Sequence, residues 1–168
     1  MLDARLYWDS AAAGSPLEGG AEAGIEAIDV AGMPEAERAL SKLGLGRADL
    51  PALALCDERG KIRVLGLRLH AEEIRTLAAG HGVRAAEVTM YATSWCGDCR
   101  NALRVLREAA VPCREIDIDV DSAAEAVIFA HSGGRRVVPT LSFDGRIWAF
   151  NPSPPLLHRL IEGSGIGG

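Results

Sequence analysis

No apolar run in this 168-residue chain approaches the roughly 20 residues a helix needs to cross a bilayer. Basic residues are neither in excess nor gathered: 18 Lys and Arg face 23 Asp and Glu, for a net charge of −5. Without a basic stripe to neutralise phosphates, nucleic-acid binding of that kind is excluded. The N-terminus opens with an acid, Asp3, and has no basic segment ahead of an apolar one. A secretory signal is therefore not expected, and the cytoplasm is the expected location. Cysteine is sparse, four residues in all. Cys56 and Cys113 lie in separate strand-like segments with no paired partner nearby, and read as ordinary buried strand residues. A lone C-x-x-C, Cys96 to Cys99, in a chain without a signal reads as redox-active rather than structural. Zinc would need four N or S ligands, often as two close pairs, and no second pair exists, so no metal is expected.

What is present is globular. Apolar residues make up 48%, with 19 Gly and 8 Pro, which is neither disordered nor fibrous. The length suits one ordinary domain or two small ones of about 80 residues.

The chemistry concentrates at Trp95-Cys96-Gly97-Asp98-Cys99. Val88-Thr89-Met90-Tyr91-Ala92 ahead of it alternates and is rich in strand formers. Beyond it Leu103, Leu106 and Ala110 recur at helical spacing. Cys96 is thus expected at a helix N-terminus, where unpaired N–H groups and the macrodipole favour a thiolate. Cys99, one turn on, is placed to close a disulfide with little backbone movement. Asp98 suits the dipole as an acid in the first turn, yet its charge opposes thiolate formation, with Arg100 as a nearby counter-charge.

The second half reads β-α-β-α-β-β-α. A strand over 87–92 leads into a helix near 97–110, and Cys113 to Asp119 forms the next strand. Ser122-Ala123-Ala124-Glu125 reads as a capping box opening a helix that Gly133-Gly134 stops. Val137 to Phe143 is a third strand, Asp144-Gly145 a hairpin turn, and Arg146 to Phe150 the fourth strand. Asn151-Pro152-Ser153-Pro154-Pro155 starts a closing helix through Leu156, Leu157, Leu160 and Ile161.

The first half repeats this order more weakly. Leu6-Tyr7 echoes Met90-Tyr91. Glu26-Ala27-Ile28-Asp29, Ala36-Glu37 and Leu50-Pro51-Ala52-Leu53 echo Arg114-Glu115-Ile116-Asp117, Ala124-Glu125 and Val138-Pro139-Thr140-Leu141 at one offset of 88 residues. Such self-similarity implies two like units in tandem. Opposite the cysteine motif, however, stand Ala11-Ala12-Ala13-Gly14-Ser15, followed by Pro16-Leu17-Glu18-Gly19-Gly20-Ala21, which is poor helix material. The first copy keeps the frame without the thiols. Gly80-His81-Gly82 reads as a short flexible link, with the boundary near 84.

Cys96-Gly97-Asp98-Cys99 with Val138-Pro139-Thr140 resembles the glutaredoxin branch of the thioredoxin-like fold. Tyr91-Ala92-Thr93-Ser94-Trp95-Cys96, Gly133-Gly134-Arg135-Arg136-Val137-Val138-Pro139-Thr140 and Asn151-Pro152-Ser153-Pro154 look most like the mycoredoxins. The resemblance runs from Glu87 to Glu162, and the first half is similar only to a degenerate glutaredoxin-like domain. The implied fold is α/β: tandem thioredoxin-like domains at 1–84 and 85–168, each a mixed four-stranded sheet flanked by helices. By position, Cys96 matches the family's attacking cysteine and Cys99 the resolving one. Pro139 matches its cis-proline, which turns the Val138 backbone towards a bound thiol. Arg136 matches a polar or basic position near the small thiol's carboxylate, and Trp95 is placed on the substrate-facing rim. The chain departs from the family in having Gly97-Asp98 where Pro-Tyr is common, and Thr93 and Ser94 where a basic residue often precedes the motif.

The implied activity is thiol–disulfide exchange on protein disulfides or protein–small-thiol mixed disulfides. No bound cofactor is expected; the co-substrate is a low-molecular-weight thiol (mycothiol, glutathione or bacillithiol), or a reductase donates the electrons. Partners are oxidised or S-thiolated proteins, with neither nucleic acid nor membrane. The alternatives are an iron–sulfur cluster carrier, against which Cys99 argues, and a non-catalytic redox adaptor. Of the other residues, His131 reads as complementing a helix C-terminus, and His70, His81 and His158 as surface residues. Arg135 and Arg136 are either solvated or anion-binding. Asp117, Asp119 and Asp121 read as a solvated strand edge rather than a cation site.

Overall fold

The computed structural model describes residues 1–17, 22–80, 82 and 84–162. Its first half contains β1 (Asp3–Trp8), β2 (Ile25–Asp29), α1 (Pro34–Lys42), β3 (Ala52–Cys56), β4 (Ile62–Gly66) and α2 (Ala71–Ala78). The second contains β5 (Val88–Ala92), α3 (Gly97–Glu108), β6 (Cys113–Asp117), α4 (Ser122–His131), β7 (Thr140–Phe143), β8 (Ile147–Phe150) and α5 (Pro154–Ile161). The fold is mixed α/β. Among the described residues no helix is long and apolar enough to cross a membrane.

The pairing repeats. β1 runs parallel to β2 and antiparallel to β3, which pairs with β4; β5 runs parallel to β6 and antiparallel to β7, which pairs with β8. The two sets then join, because β4 and β8 pair antiparallel with Leu65 opposite Trp148. One eight-stranded sheet results, in the order β2-β1-β3-β4-β8-β7-β5-β6. Alone, a four-stranded set would leave β8 as an edge with a row of unpaired backbone groups; β4 covers it.

Each face of this sheet carries a core that crosses the junction. On one face Leu53, Val64, Ile74 and Leu77 pack in the same cluster as Met90, Leu106, Leu141 and Leu157, beneath α2, α3 and α5. On the other, Leu40, Ala54 and Leu65 share a cluster with Trp148 and Phe150. Polar links follow the same seam. Arg146 in the β7–β8 turn donates to Glu73 of α2 at 2.8 Å and to the Arg68 carbonyl at 2.9 Å. Burial alone would raise the Glu73 pKa, but the bonds from Arg146 and the His70 N–H outweigh it and hold the carboxyl below its usual range. The stabilisation this confers is full above the ordinary glutamate pKa and is lost as pH falls through the depressed one.

Backbone approaches are close on both sides of the seam. Gly44 has φ +72°, and a β-carbon there would lie 2.5 Å from the Ala130 carbonyl oxygen of α4. At Gly82 a β-carbon would lie 1.9 Å from the Leu160 carbonyl oxygen. The segment expected to be a flexible link is therefore packed against α5 at Gly82; His81 lies outside the described residues.

The internal echo extends to side chains. Leu50–Pro51 and Val138–Pro139 are both cis. Arg47 ahead of the first binds Glu37 and Asp9, as Arg136 ahead of the second binds Glu125 and Asp119. Between β1 and β2 the described residues contain no helix; Ala12 and Ala13 fold back in a turn onto the Asp9 carbonyl. The glycine-rich segment 18–21 lies outside the described residues.

Some boundaries differ from expectation. The N-cap of α4 is Asp121, whose carboxylate accepts from the Ala124 N–H at 2.9 Å, rather than Ser122. With Asp121 as N-cap the N3 position falls on Ala124, which has no side chain to reach back, and Glu125 binds Arg136 instead. The strand expected from Val137 starts at Thr140, since proline has no N–H for a ladder. β6 ends at Asp117, whose carboxylate turns the chain by accepting from the Asp119 N–H.

Candidate functional site

Helix α3 begins where β5 delivers the chain to the C-terminal end of the sheet. Cys96 is its N-cap, and the Cys99 N–H donates to the Cys96 Sγ at 3.0 Å. That bond satisfies one of the four amides a helix start leaves unpaired, and it favours negative charge on sulfur. The Cys96 N–H in turn donates to the Thr93 carbonyl at 3.3 Å. Cys96 and Cys99 are joined as a disulfide with Cα atoms 5.2 Å apart. Both residues are largely covered, at 6% and 3% exposure, so an incoming sulfur has a restricted line of approach. Val138 packs against the cluster that contains both cysteines.

Beside them Trp95 stands out from the surface, 64% exposed. Its indole Nε1 donates to Asp119 Oδ2 at 2.9 Å, and the other oxygen of Asp119 takes Arg136, which also binds Glu125 at 2.6 Å. These two carboxylates hold the Arg136 guanidinium, so a substrate carboxylate must share it with them. Val120, next to Asp119 in the chain, is 85% exposed. The acidic run lies at the solvent, with Asp119 and Asp121 exposed, yet each carboxylate has a partner: Asp117 caps a turn, Asp119 binds Trp95 and Arg136, and Asp121 caps α4. Arg135 is likewise tied down, donating to the Ser132 carbonyl at 3.1 Å and to the Ile62 carbonyl at 3.4 Å. Among the described residues no group of three His, Cys, Asp or Glu is placed to hold a metal.

His131 closes α4, with Nδ1 against the Val127 carbonyl at 2.8 Å and its ring stacked on Trp148 at 4.0 Å. It is a packing residue on the opposite face from α3. His70 and His158 are exposed. One residue near the motif carries no sequence signal for it. Arg63, on β4 of the first half, donates to the Asn151 carbonyl at 2.6 Å, while the Asn151 N–H donates to the Pro139 carbonyl at 2.8 Å. Arg63 and Asp98 line one cavity. Only the β4–β8 pairing, invisible in the linear sequence, brings them together.

The two free thiols are poor nucleophiles by comparison. Burial pushes the Cys113 thiol up to about 11, with Glu115 adding to the effect; burial raises Cys56 as well. In the reduced protein, alkylation at pH 8 is expected to modify Cys96 first. Cys113 should react about a hundredfold more slowly than an unperturbed thiol, since a thiol that is a hundredfold weaker acid holds about a hundredfold less thiolate at that pH. In the same experiment Asp98→Asn is expected to move the Cys96 alkylation midpoint to lower pH, by removing a negative charge two residues away. A midpoint that stays put or rises contradicts that reading of Asp98.

The glutaredoxin family profile matches residues 88–148. A glutaredoxin-named protein of Mycobacterium tuberculosis strain H37Rv is 37% identical over 68 residues, covering 40% of this chain and 81% of that one. Mycoredoxin 1 of Corynebacterium glutamicum is 36% identical over 77 residues, covering 46% and 95%. Among solved structures, a mutant of a thioredoxin-like protein aligns over 45% of this chain and 96% of its own, at 24% identity and a TM-score of 0.38.

Proposed function

Through its second half the chain belongs to the glutaredoxin family, and on that premise we propose that it is a thiol–disulfide oxidoreductase acting on protein disulfides and on mixed disulfides between proteins and small thiols. The observation that carries the reading is the Cys96–Cys99 pair at the start of α3, with a backbone N–H aimed at the Cys96 sulfur. In the reduced enzyme the Cys96 thiolate attacks one sulfur of the substrate disulfide. A new S–S bond to Cys96 forms, the substrate S–S bond breaks, and the leaving thiolate takes a proton. Cys99 then attacks the Cys96 sulfur and releases the bound thiol, or a second small thiol attacks the small-thiol sulfur of the Cys96 mixed disulfide and releases the Cys96 thiolate. The first route yields the Cys96–Cys99 disulfide, which a donor must reduce; the second regenerates Cys96 directly.

Trp95, Val138, Pro139 and Arg136 form the proposed substrate rim, with Arg136 also fixing Asp119 and hence the Trp95 ring. The first half, 1–84 in this reading, is a degenerate thioredoxin-like unit without the redox cysteines, fused to the redox unit at 85–168. The electron donor is a small thiol (mycothiol, glutathione or bacillithiol) or a reductase, and the setting is a reducing cytoplasm. The test is reduction of an S-thiolated protein with those three thiols and a thioredoxin reductase run in parallel. Turnover with at least one donor is the expected result; none with any of them refutes the proposal.

A further inference from the structure

A cavity of about 430 Å³ opens on the seam where the β3–β4 turn meets α5. Arg63 of β4, Arg159 of α5 and Asp57 of the turn line it, and Leu2 and Leu156 supply apolar surface. Neither cysteine of the motif borders it, nor does any residue of α3. The volume lies within the range of about 300–1,000 Å³ usual for small-molecule sites. It corresponds to roughly fourteen water molecules at about 30 Å³ each, several times the room a phosphate group alone needs. The chain as a whole is acidic, at −5, yet this cavity gathers two guanidinium groups against one carboxylate. Among the described residues neither arginine makes an ion pair. Arg63 gives one of its five donors to the Asn151 carbonyl at 2.6 Å, which fixes the side chain and leaves the other donors open. Arg159 Nε lies 3.6 Å from where a β-carbon on Gly80 would stand, so that glycine leaves the side chain room. Asp57 feels Arg63 without pairing with it. Its Oδ1 is turned back onto its own loop, accepting from the Arg59 and Lys61 N–H groups at 3.0 Å each. Its carboxyl is held below the usual range first by the Lys61 N–H, with Arg63 contributing less.

We propose that this cavity binds a small organic phosphate, whose phosphate group bridges Arg63 and Arg159 and whose carbon body rests on Leu2 and Leu156. A planar carboxylate is satisfied by one guanidinium fork. Two guanidinium groups brought in by separate elements call for an anion with acceptor oxygens on several faces and more than one charge, which a phosphate monoester has. Arg63 belongs to the first half and Arg159 to the second, so neither half holds the site alone; the pairing of β4 with β8 creates it. The site stands apart from the cysteine chemistry and does not rest on the oxidoreductase reading.

The experiment is an NMR titration of the ¹⁵N-labelled full-length protein, at constant ionic strength, with phenyl phosphate, inorganic phosphate and benzoate in separate runs. Phenyl phosphate is expected to shift the Arg63 and Arg159 side-chain N–H signals to saturation. Inorganic phosphate should bind about tenfold more weakly for want of the apolar contact. Benzoate, with the same ring on a planar single charge, should be weaker by about the same factor. Arg159→Gln and Arg63→Gln are each expected to weaken phenyl phosphate about tenfold, the scale of one lost charge-assisted contact. Arg63 also holds the Asn151 carbonyl, so Arg159→Gln is the deciding variant. Arg104→Gln, whose partner is Glu108 on the surface of α3, should leave the affinity unchanged. The proposal is overturned by the absence of a saturable shift at either arginine, or by undiminished affinity in Arg159→Gln. It is overturned equally by the same loss in Arg104→Gln, which would mean general attraction to surface charge. Inorganic phosphate or benzoate binding as tightly as phenyl phosphate also contradicts it.

Discussion

Replacing Cys96 with serine is expected to lower mixed-disulfide reduction by at least about a thousandfold, the order of loss when a covalent nucleophile is removed. The argument rests on placement. Of the four cysteines, Cys96 alone is a helix N-cap, and its sulfur accepts the Cys99 N–H, whereas Cys56 and Cys113 are both pushed towards the thiol form by burial. Neither can substitute for it. Cys99→Ser separates the two ways of finishing the reaction. With an S-thiolated protein and excess small thiol, activity should stay within about tenfold of wild type, because a second thiol resolves the intermediate. With a substrate held by its own internal disulfide, activity should collapse, because only Cys99 is positioned to release it. Retention of activity in Cys96→Ser would sink the mechanism outright; loss with both substrates in Cys99→Ser would show that the dithiol route is the sole one.

The second large effect concerns stability. Trp148 on β8 sits opposite Leu65 of β4 and packs between Tyr91 and His131, with ring centroids 6.0 and 4.0 Å away. Trp148→Ala is expected to cost about 3–5 kcal/mol, as deletion of a buried large aromatic does. For a chain of this size that lowers the melting temperature by roughly 10 °C. Its buried Nε1 has no hydrogen-bond partner, so Trp148→Phe, which removes that unpaired N–H and keeps a ring, should cost distinctly less. Because both cores cross the seam, unfolding is expected as one cooperative transition. Far-UV circular dichroism and tryptophan fluorescence should give coincident curves before and after the substitution. Two separated transitions, with Trp148→Ala moving one of them, would contradict a shared core.

Much of the site can be read from the chain because its signals are local. The alternation of Val88 to Ala92, the C-x-x-C step and the helical recurrence beyond it lie within one stretch, and the structure arranges them as strand, N-cap and helix. Asp144-Gly145 marks its turn by backbone preference, and both residues adopt positive φ. What the sequence conceals is contact between distant segments. Strand alternation says which face is buried but not which edge finds a partner, so nothing in Ile62 to Gly66 announces β8. Arg63 looks like any surface arginine for that reason. The pairing of Arg136 with Asp119 and Glu125 is hidden for a related one: a loop arginine close to two acidic segments offers several partners, and only tertiary placement chooses between them.

The joining of β4 to β8 also sets a limit on the assembly. Strand-to-strand association, the usual way for such a sheet to recruit a second copy, has already been used up within a single molecule. The remaining outer strands, β2 and β6, present the same alternation of half-covered and open positions, with Glu26 on one and Arg114 and Glu115 on the other. Charged side chains along an open border discourage further zippering. The β4–β8 pairing therefore leaves the sheet only two borders, both of them charged.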